Sequence, residues 1–184
     1  MSDERHYLGV DIGGTKCAVL VGTDEGEVLA REEVATASFE PTCEWILTQV
    51  EQLSKRYGDS LHGVGISCGG PLDTNEGLVL SPPNLPGWDA VPIVQLAHKA
   101  SQLPTYLMND ANAGALAEGR HGGGRNCDNF AFLTCGTGMG SGIVCNGQII
   151  EGSNGFAGEI GHMRLTDDGP IGYGKSGSFE GWCS

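Results

Sequence analysis

The chain has few positive charges: ten Lys and Arg stand against 23 Asp and Glu, a formal net charge of -13. That balance argues against nucleic acid or an anionic membrane surface as a partner. There is no C-x-x-C pair, and the seven cysteines (Cys17, Cys43, Cys68, Cys127, Cys135, Cys145 and Cys183) are odd in number. A disulfide framework is therefore not expected, and a reducing cytoplasm is the natural compartment. No apolar run approaches the length of a membrane span, and the charged start "MSDERHYLGV" lacks the apolar core of a signal peptide. Two common nucleotide signatures are also missing. No G-x-x-x-x-G-K-[ST] loop occurs, and no G-x-G-x-x-G opens a helix.

Glycine, by contrast, is abundant: 31 of 184 residues, more than twice the usual share of about 7%. The glycines cluster around apolar runs without a G-X-Y period, which suggests tight turns and close backbone approach to a ligand. The first segment reads as three strands, "YLGVDIGG", "CAVLVG" and "VLAREEVAT", joined by a glycine turn and by Asp24-Glu25-Gly26. A helix is expected from about Pro41 to Tyr57, with Trp45, Ile46, Gln49, Val50, Leu53 and Tyr57 on one stripe. The stretch "LHGVGISCGG" reads as a buried strand, and "GLVLSPPNLPGW" as a strand and a proline-stiffened loop. A second helix turns Ile93, Leu96, Ala97, Ala100 and Leu103 inward. "PTYLMND" is a further strand, off whose end "ANAGALAEGRHG" opens as a helix.

The opening pattern then returns. "NFAFLTCGTGMGSGIVCNGQIIEG" is again strand, glycine turn, strand, short turn, strand, with Asn146-Gly147 in the place of the acidic turn. The copies stand about 120 residues apart, too far for a solenoid, so two similar α/β lobes facing a shared cleft are expected. The lobes are assigned to residues 1–120 and 121–184. The first copy continues with helices and strands, whereas little but glycine-rich loop follows Gly152, so the second lobe is expected to be incomplete in this chain.

Four stretches carry chemistry. In "VDIGGTK", Asp11 ends a buried strand and Gly13, Gly14, Thr15 and Lys16 form a turn whose N–H groups, hydroxyl and ammonium suit a phosphate. "TCGTGMGSG" offers Gly136, Thr137 and Gly138 in the matching turn. In "LMNDANAGALAE", Asn109 and Asp110 stand where a strand gives way to a helix. Asp110 is there either an N-cap or a general base, with Asn109 beside it to bind substrate. In "GFAGEIGHM", Glu159 and His162 are spaced to share a helix face, which by itself does not separate metal site, base, ligand clamp and polar turn.

Taken in order, "VDIGGTK", "SCGGPLD", "PNLPGW", "NDANAGALAE", "TCGTGMGSGIV" and "GFAGEIGHM" resemble the sugar kinases of the ROK family (repressors, open reading frames and kinases), from about Tyr7 to the last residue. The resemblance implies α/β architecture with duplicated ribonuclease-H-like lobes, as in actin and hexokinases. It implies transfer of the terminal phosphoryl group of ATP, with Mg2+, to the 6-hydroxyl of a glucose-like hexose or an N-acylhexosamine. Asp110 becomes the catalytic base. Gly13, Gly14, Thr15 and Lys16 become the first phosphate loop, with Asp11 near the magnesium through water, and Gly136, Thr137 and Gly138 the second. Asn109, Glu159, His162 and Glu180 become sugar ligands in a pocket lined by Gly70 and Asn84.

Many members follow "GEIGHM" with three cysteines that join the histidine on a structural zinc. Here Ile171, Tyr173 and Ser178 stand in their places, and Cys183 alone cannot restore the set, so zinc is not expected. The loop is expected to hold its shape by packing Tyr173 and Phe179. Repressor members carry a winged helix ahead of the first loop; with "DIGGT" at residue 11, no such domain is expected. His6, His62, His98 and His121 belong to no motif. Sugar and ATP are the expected partners, with pairing into a homodimer left open. An N-acetylglucosamine or N-acetylmannosamine acceptor, or a sugar-binding module without catalysis, remain alternatives to a glucokinase.

Overall fold

The computed structural model describes residues 5–136 and 138–184. They form two compact units, Met1–Asp110 and Ala111–Ser184. The units divide one residue into the helix that opens at Asp110, whereas the sequence suggested a boundary between residues 120 and 121.

The first unit begins with an antiparallel meander, β1 (His6–Ile12), β2 (Lys16–Thr23) and β3 (Val28–Ala35). Helix α1 (Phe39–Tyr57) starts two residues before the expected Pro41. Proline is tolerated there because a first-turn N–H has no helical partner to lose. Then come β4 (Leu61–Cys68), the short hairpin β5 (Leu72–Asp73) and β6 (Leu78–Val79), α2 (Ile93–Ser101) and β7 (Thr105–Asn109). The expected strand in "GLVLSPPNLPGW" is only the two residues of β6, since prolines follow at once and supply no N–H for a ladder.

The five long strands pair in the order β3-β2-β1-β4-β7, with β1, β4 and β7 parallel to one another. This meander followed by parallel strands is the ribonuclease-H-like order. Alternation along β1 sends Leu8, Val10 and Ile12 into the core and leaves Asp11 on the other face. The core face is covered by α1, through Cys43, Ile46, Val50 and Leu53, and by α2, through Ile93 and Ala97. Trp88 is wholly buried there, edge-on to Phe39 at 5.3 Å.

In the second unit α3 (Asp110–His121) supplies a face of small residues, and β8 (Phe130–Cys135), β9 (Met139–Cys145) and β10 (Gln148–Ile149) pair in the order β10-β9-β8. The β9–β10 turn places Asn146 and Gly147 at φ 51° and 74°, the left-handed conformations that a two-residue hairpin requires. A Cβ on Gly114 would stand 2.5 Å from the Phe132 ring, and one on Gly142 would stand 2.5 Å from the Ala111 carbonyl. Glycine thus lets α3 lie against this sheet. The three strands repeat β3-β2-β1, and among the described residues no parallel strands extend them. A last hairpin, β11 (Ile171–Gly172) and β12 (Lys175–Ser176), leads into α4 (Phe179–Cys183). No helix among the described residues is long and apolar enough to cross a membrane.

The cysteines divide with the units. Cys17, Cys43 and Cys68 are buried in the first, and Cys127, Cys135, Cys145 and Cys183 are exposed in the second, all as free thiols. Burial raises the pKa of all three, and the Cys68 thiol, with the Asp110 charge also bearing on it, is pushed up to about 12. A thiol-specific reagent at pH 8 is expected to titrate four cysteines quickly in the folded chain and all seven in denaturant. Rapid reaction of Cys68 would contradict this packing.

Candidate functional site

Parallel strands deliver their carboxyl ends to one edge of a sheet, the usual place for a ligand in such folds. Here that edge gathers Asp11 from β1, Ser67, Gly69 and Gly70 from β4 and the turn after it, and Asn109 and Asp110 from the end of β7. The register pairs Asp11 with Ser67, and Cys68 with Asn109. A Cβ on Gly69 would stand 3.8 Å from an Asp110 carboxylate oxygen, and one on Gly70 would stand 3.8 Å from the Asn109 amide nitrogen. Gly70, Asn109 and Asp110, singled out separately in the sequence, therefore meet. The peptide between Gly70 and Pro71 is cis.

Solvent reaches part of the Asp11 surface, yet protein crowds the carboxylate, and that crowding decides its titration. Lost hydration is the largest influence and raises the pKa. A hydrogen bond from Ser67 opposes it, the Asp110 charge adds to it, and Arg31 and Lys16 oppose it more weakly. Ser67 was not singled out in the sequence; alternation along "GISCGG" puts it on the Asp11 face, but only the parallel register brings the two together.

The turn between β1 and β2 is closed by the Gly13 N–H donating to the Lys16 carbonyl at 3.1 Å. A Cβ on Gly14 would stand 2.6 Å from the Asn84 Cβ, so only glycine fits against the proline-rich loop. Asn84 thus lies on the first glycine turn. The Lys16 ammonium sits 3.2 Å from Glu33, which also holds Arg31 at 2.9 Å. These contacts, Arg31 first, draw the Glu33 carboxyl below its ordinary range. The pairs are solvent-exposed and add little stability.

In the second unit the β8–β9 turn holds Gly136 and Gly138; Thr137 lies outside the described residues. The Met139 N–H donates to a Glu180 carboxylate oxygen at 2.9 Å, and a Cβ on Gly138 would come within 3.1 Å of that oxygen. Glu180 is thereby tied to the second glycine turn. Glu159 and His162 flank a single 3-10 turn, with Glu159 Oε2 and His162 Nε2 3.6 Å apart and both side chains half-exposed. The turn lies flat on β9. A Cβ on Gly158 would stand 2.2 Å from the Ser141 carbonyl, and one on Gly161 would stand 2.5 Å from the Met139 carbonyl. The Ser141 hydroxyl donates to the Gly158 carbonyl at 2.7 Å. The spacing of "GEIGH" is therefore set by glycines at the contacts, which project Glu159 and His162 outward.

The 171–180 loop departs from expectation. Tyr173 is 66% exposed and touches the His162 ring edge-on at 5.0 Å, so it does not pack the loop. Phe179 is half-buried. Backbone pairing within the β11–β12 hairpin and the buried Ser178 hold the loop instead. The Ser178 hydroxyl donates to the Gly172 carbonyl at 3.3 Å and accepts from the Gly181 N–H at 3.1 Å, capping α4. Ile171 offers no donor, the Tyr173 phenol is a poor ligand and the Ser178 hydroxyl is committed, so this donor set does not fit zinc.

The ROK family's sequence profile matches residues 7–184. The chain belongs to the ROK family. A glucokinase of Halalkalibacterium halodurans is 35% identical over 188 residues, covering 98% of this chain and 56% of that protein. An N-acetylmannosamine kinase of Yersinia pestis is 34% identical, covering 96% of this chain and 60% of its own length. Among solved structures, a ROK family glucokinase from Streptomyces griseus in complex with glucose and AMPPNP superposes with a TM-score of 0.81 at 36% identity, over 95% of this chain and 56% of that one. The chain thus spans little more than half the length of these ROK relatives.

Two predictions arise from this geometry. A carboxyl whose folded pKa lies above its unfolded value contributes stability below the unfolded value, 3.8 for Asp11, and loses it as pH rises through the raised one. At pH 7 ionised Asp11 therefore opposes folding. Asp11→Asn should melt at a higher temperature than the wild type at pH 7, with the gap closing toward about pH 4; an equal or lower melting point at pH 7 would contradict the crowding. Ser178→Ala should cost about 1–2 kcal/mol locally, seen as faster hydrogen exchange at the Gly181 amide, while the core strands of the first unit exchange unchanged.

Proposed function

We propose that this chain carries the phosphate-binding and sugar-binding residues of an ATP-dependent hexose kinase that phosphorylates a glucose-like sugar at its 6-hydroxyl. The observation that carries the reading is the meeting of Asp11, Gly70, Asn109 and Asp110 at the carboxyl ends of β1, β4 and β7, in the unit that also holds the first glycine turn. The names of the ROK relatives support it.

In this mechanism Asn109, Glu159, His162 and Glu180 hold the sugar hydroxyls. Gly13, Gly14, Thr15 and Lys16 take one part of the phosphate chain, and Gly136, Thr137 and Gly138 the other. Asp110 accepts the proton of the 6-hydroxyl as its oxygen bonds to the terminal phosphorus and the bond to the ADP oxygen breaks. Such transfers depend on positioning and charge stabilisation, so one base and donors already in place suffice. Two neighbouring carboxylates, Asp11 and Asp110, suit a divalent cation, and magnesium needs only one or two carboxylates from protein. Asp11 would hold it through water, and when bound it would neutralise charge on the phosphates. A reducing cytoplasm agrees with seven free thiols.

The N-acetylmannosamine kinase relative supports a second reading, an N-acylhexosamine acceptor, equally well. Sugar-dependent ADP formation with Mg-ATP and glucose, N-acetylmannosamine or N-acetylglucosamine distinguishes the acceptors. Sugar binding without turnover, in this chain and in one extended to the relatives' length, would leave a sugar-binding module. Asp110→Asn should lower kcat by about 100-fold to 10,000-fold while sugar affinity changes little; retained turnover would remove Asp110 from the base role.

A further inference from the structure

The end of β3 reaches the first glycine turn through one residue. The Thr36 hydroxyl donates to the Gly13 carbonyl at 2.6 Å, and the Thr36 N–H donates to the Thr15 carbonyl at 2.9 Å. Beneath them the buried Cys17 thiol lies 3.4 Å from the Thr36 hydroxyl oxygen and 3.8 Å from the Gly13 carbonyl oxygen. The Thr36 proton is engaged with Gly13, so its oxygen is left to accept from the thiol.

These bonds act on the donors of the turn. In a trans peptide the carbonyl and the following N–H point to opposite sides. Holding the Gly13 carbonyl toward Thr36 turns the Gly14 N–H away from it, and holding the Thr15 carbonyl does the same for the Lys16 N–H. Among the described residues no backbone or side-chain acceptor takes the N–H of Gly14 or Thr15. The turn therefore keeps donors unspent while its carbonyls are tied back, and glycine flanked by glycine would otherwise swing freely.

We propose that Thr36 is a positioning residue for nucleotide phosphates: its hydroxyl and N–H tie back the Gly13 and Thr15 carbonyls so that the N–H groups of the turn stay presented to an incoming phosphate. The proposal rests on reading residues 13–16 as a phosphate loop. Thr36 need touch no ligand; it acts through the two peptides it holds. Preorganised donors of this kind bind developing or full negative charge without reorganising at the moment of binding.

The test uses the whole chain with Thr36→Val, which keeps the shape and loses the hydroxyl, and Thr36→Ser, which keeps the hydroxyl. Hydrogen exchange without ligand reads the turn directly. The valine variant should exchange faster at residues 13–16 with the core strands unchanged, and serine should restore the wild-type rate; unchanged exchange in the valine variant overturns the proposal. Titration with Mg-ATP reads the consequence. One hydrogen bond lost should weaken binding about threefold to tenfold for valine and hardly at all for serine, with glucose affinity equal in all three proteins. Equal Mg-ATP affinity in a folded valine variant overturns the proposal, as does a matching loss of glucose affinity, which marks a general structural defect. If the wild type binds no Mg-ATP, the phosphate-loop reading fails, and with it the role toward phosphate, whatever the exchange rates show of the turn itself.

Discussion

The parallel pairing of β1, β4 and β7 is the constraint on which the first unit depends. It requires the core face to be covered, which α1 and α2 do, and it lines up the carboxyl ends of three strands. The register sets Asp11 beside Ser67 and Cys68 beside Asn109. A slip of one residue would turn Asp11 into the core and Ile12 out of it, so the burial of Leu8, Val10 and Ile12 is what keeps the carboxylate on the open face. Core packing and site geometry are thus one requirement.

Glycine serves the same end by allowing approach. Gly14 lets the proline-rich loop rest on the first turn, while Gly158 and Gly161 let the Glu159–His162 turn lie on β9. In each case the nearest neighbour is backbone or the root of a side chain, which cannot swing away. Bonds to the carbonyls then fix what glycine leaves free. Thr36 does this at the first turn, and Ser141 at the Gly158 carbonyl.

Much of this was legible in the sequence because it is local. The two glycine hairpins, the strand-to-helix junction at Asn109 and Asp110, and the amphipathic stripes of α1 and α2 all follow from periodicity and turn chemistry. Other features depend on residues far apart in the chain and carry no local signature. Thr36 meets Gly13, Asn84 meets Gly14, and Glu180 meets Met139 only through tertiary packing. The error over Tyr173 has the same origin. An aromatic residue in a glycine-rich loop suggests packing, but the buried Ser178 already ties the loop to α4, which leaves Tyr173 in solvent.

By itself, then, the sequence determined the long strands and helices as far as Gly152, the places of the glycine turns and the kinship with the ROK family, since turn chemistry and hydrophobic alternation act over a few residues. The tertiary structure decided which of those residues meet. It set Asp11 against Ser67 and within the field of Asp110, and it placed α3 on the second sheet. Strand register and helix packing are collective outcomes of burying apolar faces, and no short stretch of chain specifies them alone.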